Sequence, residues 1–406
     1  MDVKLRWIHH ENGPECHEAV VKALVAGEPD WEKHLKGFHR VQEIYNSRDL
    51  RGINLEGLDL RKAKLDNTRL ELANLSGCNL KGVSLQNSDA QDALLQNANL
   101  DGLNARGTNF QNADLRSASL KKATLSSCRM MGADLTSATL DGASLTGVDL
   151  QAAFLAEASL KKVTADLATL SRARGANIDA SGASFKKTVW NRVKAPGIRL
   201  TEADLSEANL VFANLAGADM SGARLQGARL RKANLEGANL AGADCRGVNL
   251  QEVQMGSINM ENTNLEGAQM TSSFGFSGVS LKGANLKGTN LEDARLPEAN
   301  LEGADLTGAN LESTLLERAN LTGANLAETN LTRANLGYAV LAACVFQGAL
   351  FEDTNMRQSV LRGANFSGSH YINAFFSLAE VDEATFPEEF RDAMGTTRGT
   401  PNYTDR

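Results

Sequence analysis

Histidines and a cysteine concentrate in the first 49 residues, and side chains of these types can hold a metal ion. They are His9, His10, His17, His34 and His39, with Cys16 beside His17. Imidazole and thiolate are the usual zinc ligands, but these separations match none of the usual paired-ligand spacings. We therefore expect the histidines to lie on helix surfaces and in helix packing, and a metal site is the less favoured alternative.

A second candidate site is a basic stretch that contains no acidic residue. Its charged members and one tryptophan are Lys186, Lys187, Trp190, Arg192, Lys194 and Arg199. We predict that these six residues are partner-binding residues. The alternative is a basic rim that only contacts solvent.

Motifs of the common catalytic sites are missing from the sequence. It has no phosphate-binding GxxxxGK[ST] loop, no GxSxG and no HExxH. The many Asp and Asn residues recur at regular intervals, so a structural repeat explains them better than a catalytic role. We predict a protein that is not an enzyme and that binds no cofactor.

A five-residue period organises most of the chain. Between Ala203 and Leu250 a large apolar residue stands at every fifth position, with Cys245 as the small exception, and the residue two positions earlier is usually Ala. This period fits neither the turn of a helix nor the alternation of a strand. The frame is unbroken from Leu50 to Met270 and resumes from Phe276 to Phe386.

The pattern inside each quintet suggests three extended residues followed by a turn. If the large residue and the Ala point inward, the polar residue between them points outward, as in a strand. The other two places carry Gly, Ser, Glu, Lys or Arg, which suit an exposed turn with a positive φ. Four such sides, one quintet each, would close a square coil, and stacked coils would form a solenoid.

The A(D/N)LXX motif resembles the pentapeptide-repeat family over residues 48–386. The resemblance implies a right-handed quadrilateral β-helix, an all-β solenoid of about 17 coils in this chain. It also implies roles known in that family. Some members protect DNA gyrase, with projecting loops that carry the function, and some dimerise end to end through their C-terminal coils.

The ends of the solenoid need cover because they expose unpaired strand edges. We predict an N-terminal helical cap at residues 1–47, with a helix over Glu15–Ala26 that stops at Gly27 and a second helix capped by Asp30. Residues 387–406 are predicted to be a C-terminal cap helix and a mobile tail. Ile372, Phe375 and Leu378 occupy outward places, so they form either a surface covered by Phe390 or a dimer contact.

Two interruptions and one aromatic series stand out within the repeat. Residues 163–200 have several small central residues and a Pro-Gly pair, and Trp190 is large for a narrow coil, so we expect a loop or distorted coil at 186–199. One extra residue falls within 271–276, where we expect a β-bulge. Phe346, Phe366 and Phe386 are spaced four quintets apart and are expected to stack on one inner face.

Charge and cysteine content limit the function classes. The formal net charge is −7, which is not the basic balance of a nucleic-acid-binding protein. Cys78, Cys128, Cys245 and Cys344 occupy inward places and show no pairing pattern, which favours a reducing cytoplasm. No apolar run approaches the length that a membrane-spanning helix needs, so we expect no membrane contact.

The preferred function is a rigid scaffold that binds an unidentified protein partner. The first alternative is a DNA mimic that binds a type II topoisomerase and protects it from inhibitors. Duplex DNA carries about one negative charge per 1.7 Å, so a mimic of this length would need tens of net negative charges. The net charge of −7 is far smaller, so the mimic is second choice. A targeting or adaptor module for a secreted or associated partner protein is a further alternative.

Overall fold

A computed structural model describes residues 4–36, 38, 48–273 and 278–404. The chain divides into two compact units, Met1–Arg199 and Leu200–Arg406, which we call the N-terminal and C-terminal units. Each unit contains stacked coils whose outward residues pair in parallel, for most coils across the same sequence separation. The elements of each unit are described separately below.

The N-terminal unit begins with helices. Helix α1 spans Arg6–His9, helix α2 spans Gly13–Ala26, and a 3₁₀ helix spans Trp31–Leu35. Helix α2 ends as predicted at Gly27, whose φ of 79° is left-handed and whose N–H reaches the carbonyl of Leu24 at 3.1 Å. Asp30 occupies the N-cap position of the 3₁₀ helix, as predicted, but its side chain makes no capping hydrogen bond.

Two tryptophans anchor these helices to the first coils. The indole N–H of Trp7 donates to the carbonyl of Arg51 at 2.9 Å, and that of Trp31 donates to the carbonyl of Lys64 at 2.7 Å. Arg6 contributes an ion pair, with its guanidinium 2.8 Å from the Asp49 carboxylate. Buried side chains therefore join the helical segment to the coils by specific polar contacts as well as by apolar packing.

The coils of the N-terminal unit have a circuit of four quintets. Parallel bridges join outward residues one circuit apart, from Asp49 with Arg69 to Asp179 with Arg199. At one such bridge the N–H of Leu75 donates to the carbonyl of Leu94 at 2.7 Å, and the N–H of Leu94 donates to the carbonyl of Ala73 at 2.9 Å. Ala73 and Leu75 are buried, whereas the residue between them is half-buried. The sequence-based alternation and circuit length are confirmed.

The corners explain two further preferences of the repeat. The second corner residue has a positive φ in nearly every described quintet, for example 64° at Gly77, as a type II turn requires. The Asn or Asp before the corner accepts a hydrogen bond from the backbone two residues later, as Asn74 Oδ1 does from the N–H of Ser76 at 3.1 Å. This local bond stabilises the turn and accounts for the frequent Asn and Asp of the motif.

The structure corrects the prediction of a loop or distorted coil within residues 163–200, because the segment at 186–199 is a regular part of the coils. Bridges join Thr169 to Val189 and Arg174 to Lys194, so no loop bulges from the solenoid here. Trp190 is 2% exposed and therefore fits inside. The small central residues supply the room, since Ala180 lies two quintets before Trp190 and hence on the facing side of the coil.

Pro196 also fits the regular coil. Pro196 occupies the first of the two corner places. In another quintet this place is held by Ser76, whose backbone N–H donates to a side chain and not to the backbone of a neighbouring coil. A missing N–H at this place therefore removes no bond between coils. Gly175 is required for a different reason, since a Cβ there would lie 2.6 Å from the backbone carbon of Leu155.

The C-terminal unit repeats the same circuit, with one change of register. Its regular bridges begin with Asp204 and Arg224, and Leu205 and Leu235 are fully buried. Asn259 pairs with Ser280, one position beyond the regular circuit, so the extra residue predicted from the sequence falls between them. The predicted β-bulge lies largely outside the described residues, because 274–277 are not described.

Longer strands occur near the end of the C-terminal unit. Strand β1, Leu350–Glu352, pairs in parallel with β2, His370–Ile372, and β3, Thr385–Pro387, pairs in parallel with β4, Asn402–Thr404. A 3₁₀ helix at Glu388–Met394 connects β3 to β4. The rings of Phe346, Phe366 and Phe386 stack inside with centroids 4.6 and 4.4 Å apart, which confirms their predicted alignment.

The predicted mobile tail is wrong for residues 396–404, which pair with the preceding coil. Arg398 bridges Glu380, and its N–H donates to the carbonyl of Ala379 at 2.7 Å. The guanidinium of Arg391 also lies 4.1 Å from the ring centroid of Tyr403. This pairing satisfies backbone groups of the last coil that would otherwise form an open edge.

Candidate functional site

Trp190 is not available to a partner, although the sequence placed it in the basic site. Its ring packs edge-on against Phe185, with centroids 5.0 Å apart, and its indole N–H donates to Thr188 Oγ1 at 2.9 Å. The Thr188 hydroxyl in turn donates to the carbonyl of Phe185 at 2.5 Å. The tryptophan is therefore a fully bonded core residue.

The five basic residues of this candidate site are exposed but lie on different sides of the coil. Lys186 and Lys187 occupy one corner, and Arg192 and Lys194 belong to the next side after Trp190. Arg199 lies on the following side, where its guanidinium is 3.1 Å from the Asp179 carboxylate. The structure therefore does not bring the predicted site together as one surface.

Asp179 holds two cations on that last side. Besides Arg199 it pairs with Lys161, whose Nζ is 3.3 Å from Oδ2. Partial burial raises the pKa of Asp179, but hydrogen bonds from Ser181 and the pairing with Lys161 outweigh it and lower the pKa overall. This carboxylate is ionised at neutral pH and balances part of the basic charge.

A tighter basic cluster, which the sequence analysis missed, combines residues one circuit apart. Arg174 bridges Lys194, and Arg172 and Arg192 occupy the adjoining corner of the same two coils. All four side chains are exposed. The missed signal was the spacing of four quintets, because Arg172 and Arg174 precede the basic stretch that the sequence analysis singled out.

The side that carries this cluster changes charge along its length. Successive parallel bridges join five outward residues, which we call the 114–194 ladder: Asp114, Asp134, Phe154, Arg174 and Lys194. The ladder is acidic at one end and basic at the other, with Phe154 45% exposed at its centre. At the acidic end Arg116 pairs with Asp114 at 2.5 Å and approaches Asp134 to 3.8 Å.

An apolar patch lies in the last coils of the C-terminal unit. Ile372, Phe375 and Leu378 are 54%, 44% and 43% exposed, and the guanidinium of Arg357 lies 4.9 Å from the Phe375 ring centroid. Phe390 does not cover them, because it is fully buried against other rings, including Tyr371 at 4.5 Å. The four residues therefore do not form one contact, and the first three stay open to solvent.

A cavity of about 550 Å³ lies in the N-terminal unit between the helices and one side of the coils. Trp7, Ile8 and Leu94 supply apolar walls, and His17 contributes its ring. His17 Nε2 lies 2.9 Å from the carbonyl oxygen of Asn54, so this histidine joins helix α2 to the coil. The lining is mostly apolar, so we interpret this cavity as a gap in the packing of the helices against the coils.

The histidines and thiols do not form a metal or nucleophilic site in the described part of the chain. No group of three His, Cys, Asp or Glu residues is placed there to hold a metal, and His39 lies outside it. Burial raises the pKa of Cys78 to about 11 and that of Cys128 and Cys344 to about 12. Such thiols stay protonated at neutral pH and are poor nucleophiles.

Two further observations concern the class of protein. Among the residues 4–36, 38, 48–273 and 278–404, no helix has the length and apolarity needed to cross a bilayer. The outward Asp and Asn residues bond their own turns and neighbouring coils, as Asn109 does when its amide donates to Asp89 Oδ1 at 2.9 Å. The repeat therefore uses these polar groups for its own structure.

Comparison with known proteins identifies the repeat. A family model described as pentapeptide repeats matches residues 48–164, 198–267 and 276–377 in overlapping segments. A search of curated proteins gives no match.

Solved structures of several repeat proteins resemble the chain. HetL from the cyanobacterium Nostoc, a pentapeptide repeat protein involved in heterocyst differentiation regulation, is 28% identical over 64% of this chain and 88% of its own, with a TM-score of 0.22. Full-length QnrB1, a plasmid-mediated fluoroquinolone resistance protein, is 17% identical over 60% of this chain and 94% of its own, with a TM-score of 0.22. Rfr23 from the cyanobacterium Cyanothece is 24% identical over 34% of this chain and 91% of its own, with a TM-score of 0.16.

Proposed function

The chain belongs to the pentapeptide-repeat family, a group of right-handed β-helix solenoids, and on this premise we propose that it is a non-enzymatic scaffold that binds a protein partner. In this proposal about 17 coils form the scaffold, and the helical segments at residues 1–47 and 387–394 cap it. Rigid coils with flat sides suit binding, because little conformational entropy is lost when a preformed surface meets a partner.

The observation that carries the proposal is the apolar patch of Ile372, Phe375 and Leu378. Most outward places of the repeat hold polar residues that bond to their own coils, whereas these three side chains are 43–54% exposed. Exposed apolar groups that lie together mark interaction surfaces more often than isolated ones do. The cation of Arg357 beside Phe375 adds a residue type that is enriched in protein interfaces.

Two kinds of occupant fit this patch. One is a different protein with a complementary apolar surface. The other is a second copy of the chain, so that a homodimer forms through the C-terminal coils. Burial of Phe390 leaves the patch uncovered by this chain's own 3₁₀ helix, which favours an external occupant.

Phe375→Asn tests the patch, with Leu315→Asn as a matched control. Leu315, Asn335, Asn355 and Phe375 are successive members of one ladder, so Asn is a natural residue at both mutated places. In the experiment each variant is chemically crosslinked to its partner in the source cells and the crosslinked partner is recovered. We expect no partner to be recovered with Phe375→Asn, whereas Leu315→Asn should recover it as wild type does. Light scattering of the purified variants distinguishes a homodimer from a different protein, and equal recovery by both variants would argue against the patch.

The DNA mimic remains the second candidate. A DNA mimic requires a continuous acidic face. The outward residues of the described coils do not favour such a face, because basic residues interrupt the acidic ones, as Arg224 does between Asp204 and Asp244 on one side. A gyrase supercoiling assay with an added inhibitor tests it. Protection by the purified protein would support the mimic, and no effect at excess protein would remove it.

Localisation and the adaptor role remain predictions. Four buried thiols suit a reducing compartment, which supports the proposed cytoplasmic location. The absence of nucleic-acid and membrane contact stays a prediction from the sequence. A targeting or adaptor module would use the same patch for a secreted or associated partner, so the crosslinking experiment also identifies that case. No cofactor is part of the proposal.

A further inference from the structure

The 114–194 ladder is complementary to itself when reversed. It runs Asp114, Asp134, Phe154, Arg174, Lys194 on one side of the N-terminal unit. From this order we propose that two copies of the chain dock along these ladders in antiparallel orientation, with Phe154 of one copy against Phe154 of the second. This interface is distinct from the C-terminal patch and does not depend on the scaffold proposal.

The spacing of the ladder supports this pairing. Neighbouring rungs of a parallel sheet are about 4.8 Å apart, so Asp134 and Arg174 are equally distant from Phe154. Asp114 and Lys194 are likewise two rungs away on either side. A two-fold axis across the ladder at Phe154 therefore places Asp134 opposite Arg174 and Asp114 opposite Lys194 of the second copy.

Charge selects the antiparallel arrangement over the parallel one. With both copies in the same direction, carboxylates would face carboxylates and cations would face cations, which costs free energy. In the antiparallel arrangement all four charged rungs meet an opposite charge. The central contact is apolar in either case, because Phe154 is 45% exposed. Met131, at the corner before Asp134 one coil away, is 39% exposed.

Neighbouring charges modify the two ends without reversing them. At the basic end Arg172 and Arg192 add positive charge at the corner, whereas Glu157 lies at the corner that follows the central rung, Phe154. At the acidic end Arg116 forms an ion pair with Asp114. Partial burial raises the pKa of Asp114, but hydrogen bonds from that guanidinium outweigh burial and lower the pKa, so the carboxylate stays negative.

A second copy fits this side better than an unrelated acidic protein does. An acidic partner would use only Arg174 and Lys194 and their corner arginines, and it would meet repulsion at Asp114 and Asp134. A second copy uses all five rungs. Five rungs bury less area than the roughly 800 Å² per partner of a standard interface, so we expect a weak dimer. Because its charged contacts are exposed at the surface, the dimer should also be salt-sensitive.

Sedimentation of the full-length protein tests the proposal by charge exchange. In wild type, we expect the sedimentation coefficient to rise with concentration from about 1 to about 100 µM in about 50 mM NaCl and to fall back in about 500 mM NaCl. Arg174→Asp places two carboxylates opposite each other, and Asp134→Arg places two guanidinium groups opposite each other. Each single variant should weaken association by about tenfold or more.

The double variant D134R/R174D restores opposite charges within each facing pair. We expect it to associate within about threefold of wild type, which a merely damaged fold would not do. Lys186→Asp, an equal charge change at a different corner, serves as the control and should associate like wild type. Circular dichroism and thermal melting establish that every variant is folded.

Three results would overturn the proposal. One is a wild-type protein that stays monomeric across the whole concentration range at low salt. Another is a double variant that associates no better than the single ones. The last is a dimer that none of these substitutions weakens. If Phe375→Asn then abolished that dimer, self-association would be assigned to the C-terminal patch.

Discussion

The indole N–H of Trp190 donates a hydrogen bond of 2.9 Å to the hydroxyl of Thr188 inside the coil. Thr188 occupies the small inward place of its quintet, where Ala is usual, and is 1% exposed. Its hydroxyl donates in turn to the carbonyl of Phe185. A polar residue in an apolar place thus satisfies the one polar group of the largest side chain in that coil.

Thr188→Val should destabilise the protein through this bond. Valine has nearly the same shape, but it leaves the indole N–H buried without an acceptor, which costs about 1–3 kcal/mol. We expect the free energy of unfolding to fall by that amount in urea denaturation. Thr139→Val, at an exposed outward place of the same unit, is the control and should change stability little.

Leu235→Ala tests the inward side of the repeat. Leu235 is fully buried in the C-terminal unit, so we expect a loss of about 2–5 kcal/mol from removed contacts and the cavity left behind. The adjacent Glu236 is exposed at the corner, and Glu236→Ala should have almost no effect. Similar losses for both variants in a denaturation series would contradict the assigned orientation of the quintet.

Leu167→Gly should stabilise the protein, although glycine usually weakens a fold. Leu167 has a φ of 62° and is 61% exposed, so its side chain adds left-handed strain and contributes little burial. Relief of that strain gives about 1 kcal/mol, measurable as a higher melting temperature. Arg106→Gly, at the first corner place and without a positive φ, should instead lower stability or leave it unchanged. A lower melting temperature for Leu167→Gly would refute the strain argument.

The fold could be predicted from the sequence because the residue types within each quintet indicate which side chains point inward and which point outward. Burial of Leu205 and Leu235 depends only on their place in the period, and the stack of Phe346, Phe366 and Phe386 depends only on a circuit of four quintets. Both are local or strictly periodic properties. The parallel pairing that holds the coils together then needs no further side-chain signal.

The errors arise where the outcome depends on facing sides or on backbone alone. Trp190 fits because small residues such as Ala180 face it across the coil, and a quintet-by-quintet reading does not compare facing sides. Strand β4 pairs through its backbone, so Asn402–Thr404 carries no repeat motif. The 114–194 ladder was missed for a related reason, since its residues become neighbours only at a spacing of four quintets.

Asp49 links the stability of the N-terminal unit to pH. Its carboxylate is 2% exposed and accepts hydrogen bonds from the guanidinium groups of Arg51 and Arg6, at 2.7 and 2.8 Å. Burial alone would raise the pKa of Asp49, but these two partners outweigh burial and bring the pKa well below its ordinary value. The stabilising contribution is therefore fully present above the unfolded-state pKa of about 3.9 and is lost as pH falls through the lower folded-state pKa.

Asp49→Asn should remove this contribution and leave two half-buried arginine groups without their buried counter-ion. We expect a loss of about 3–5 kcal/mol at pH 7, measured by denaturant unfolding, because breaking a buried pair exposes the full desolvation cost of its remaining members. The difference from wild type should shrink below about pH 4, since the wild-type carboxyl then becomes protonated on unfolding and loses its advantage. Asp59→Asn is the matched control, because Asp59 pairs with Arg61 at 2.6 Å on an exposed side and its loss should change stability little. A difference between wild type and Asp49→Asn that stays constant from pH 7 to about pH 3 would show that the ion pair does not act through the charge of Asp49.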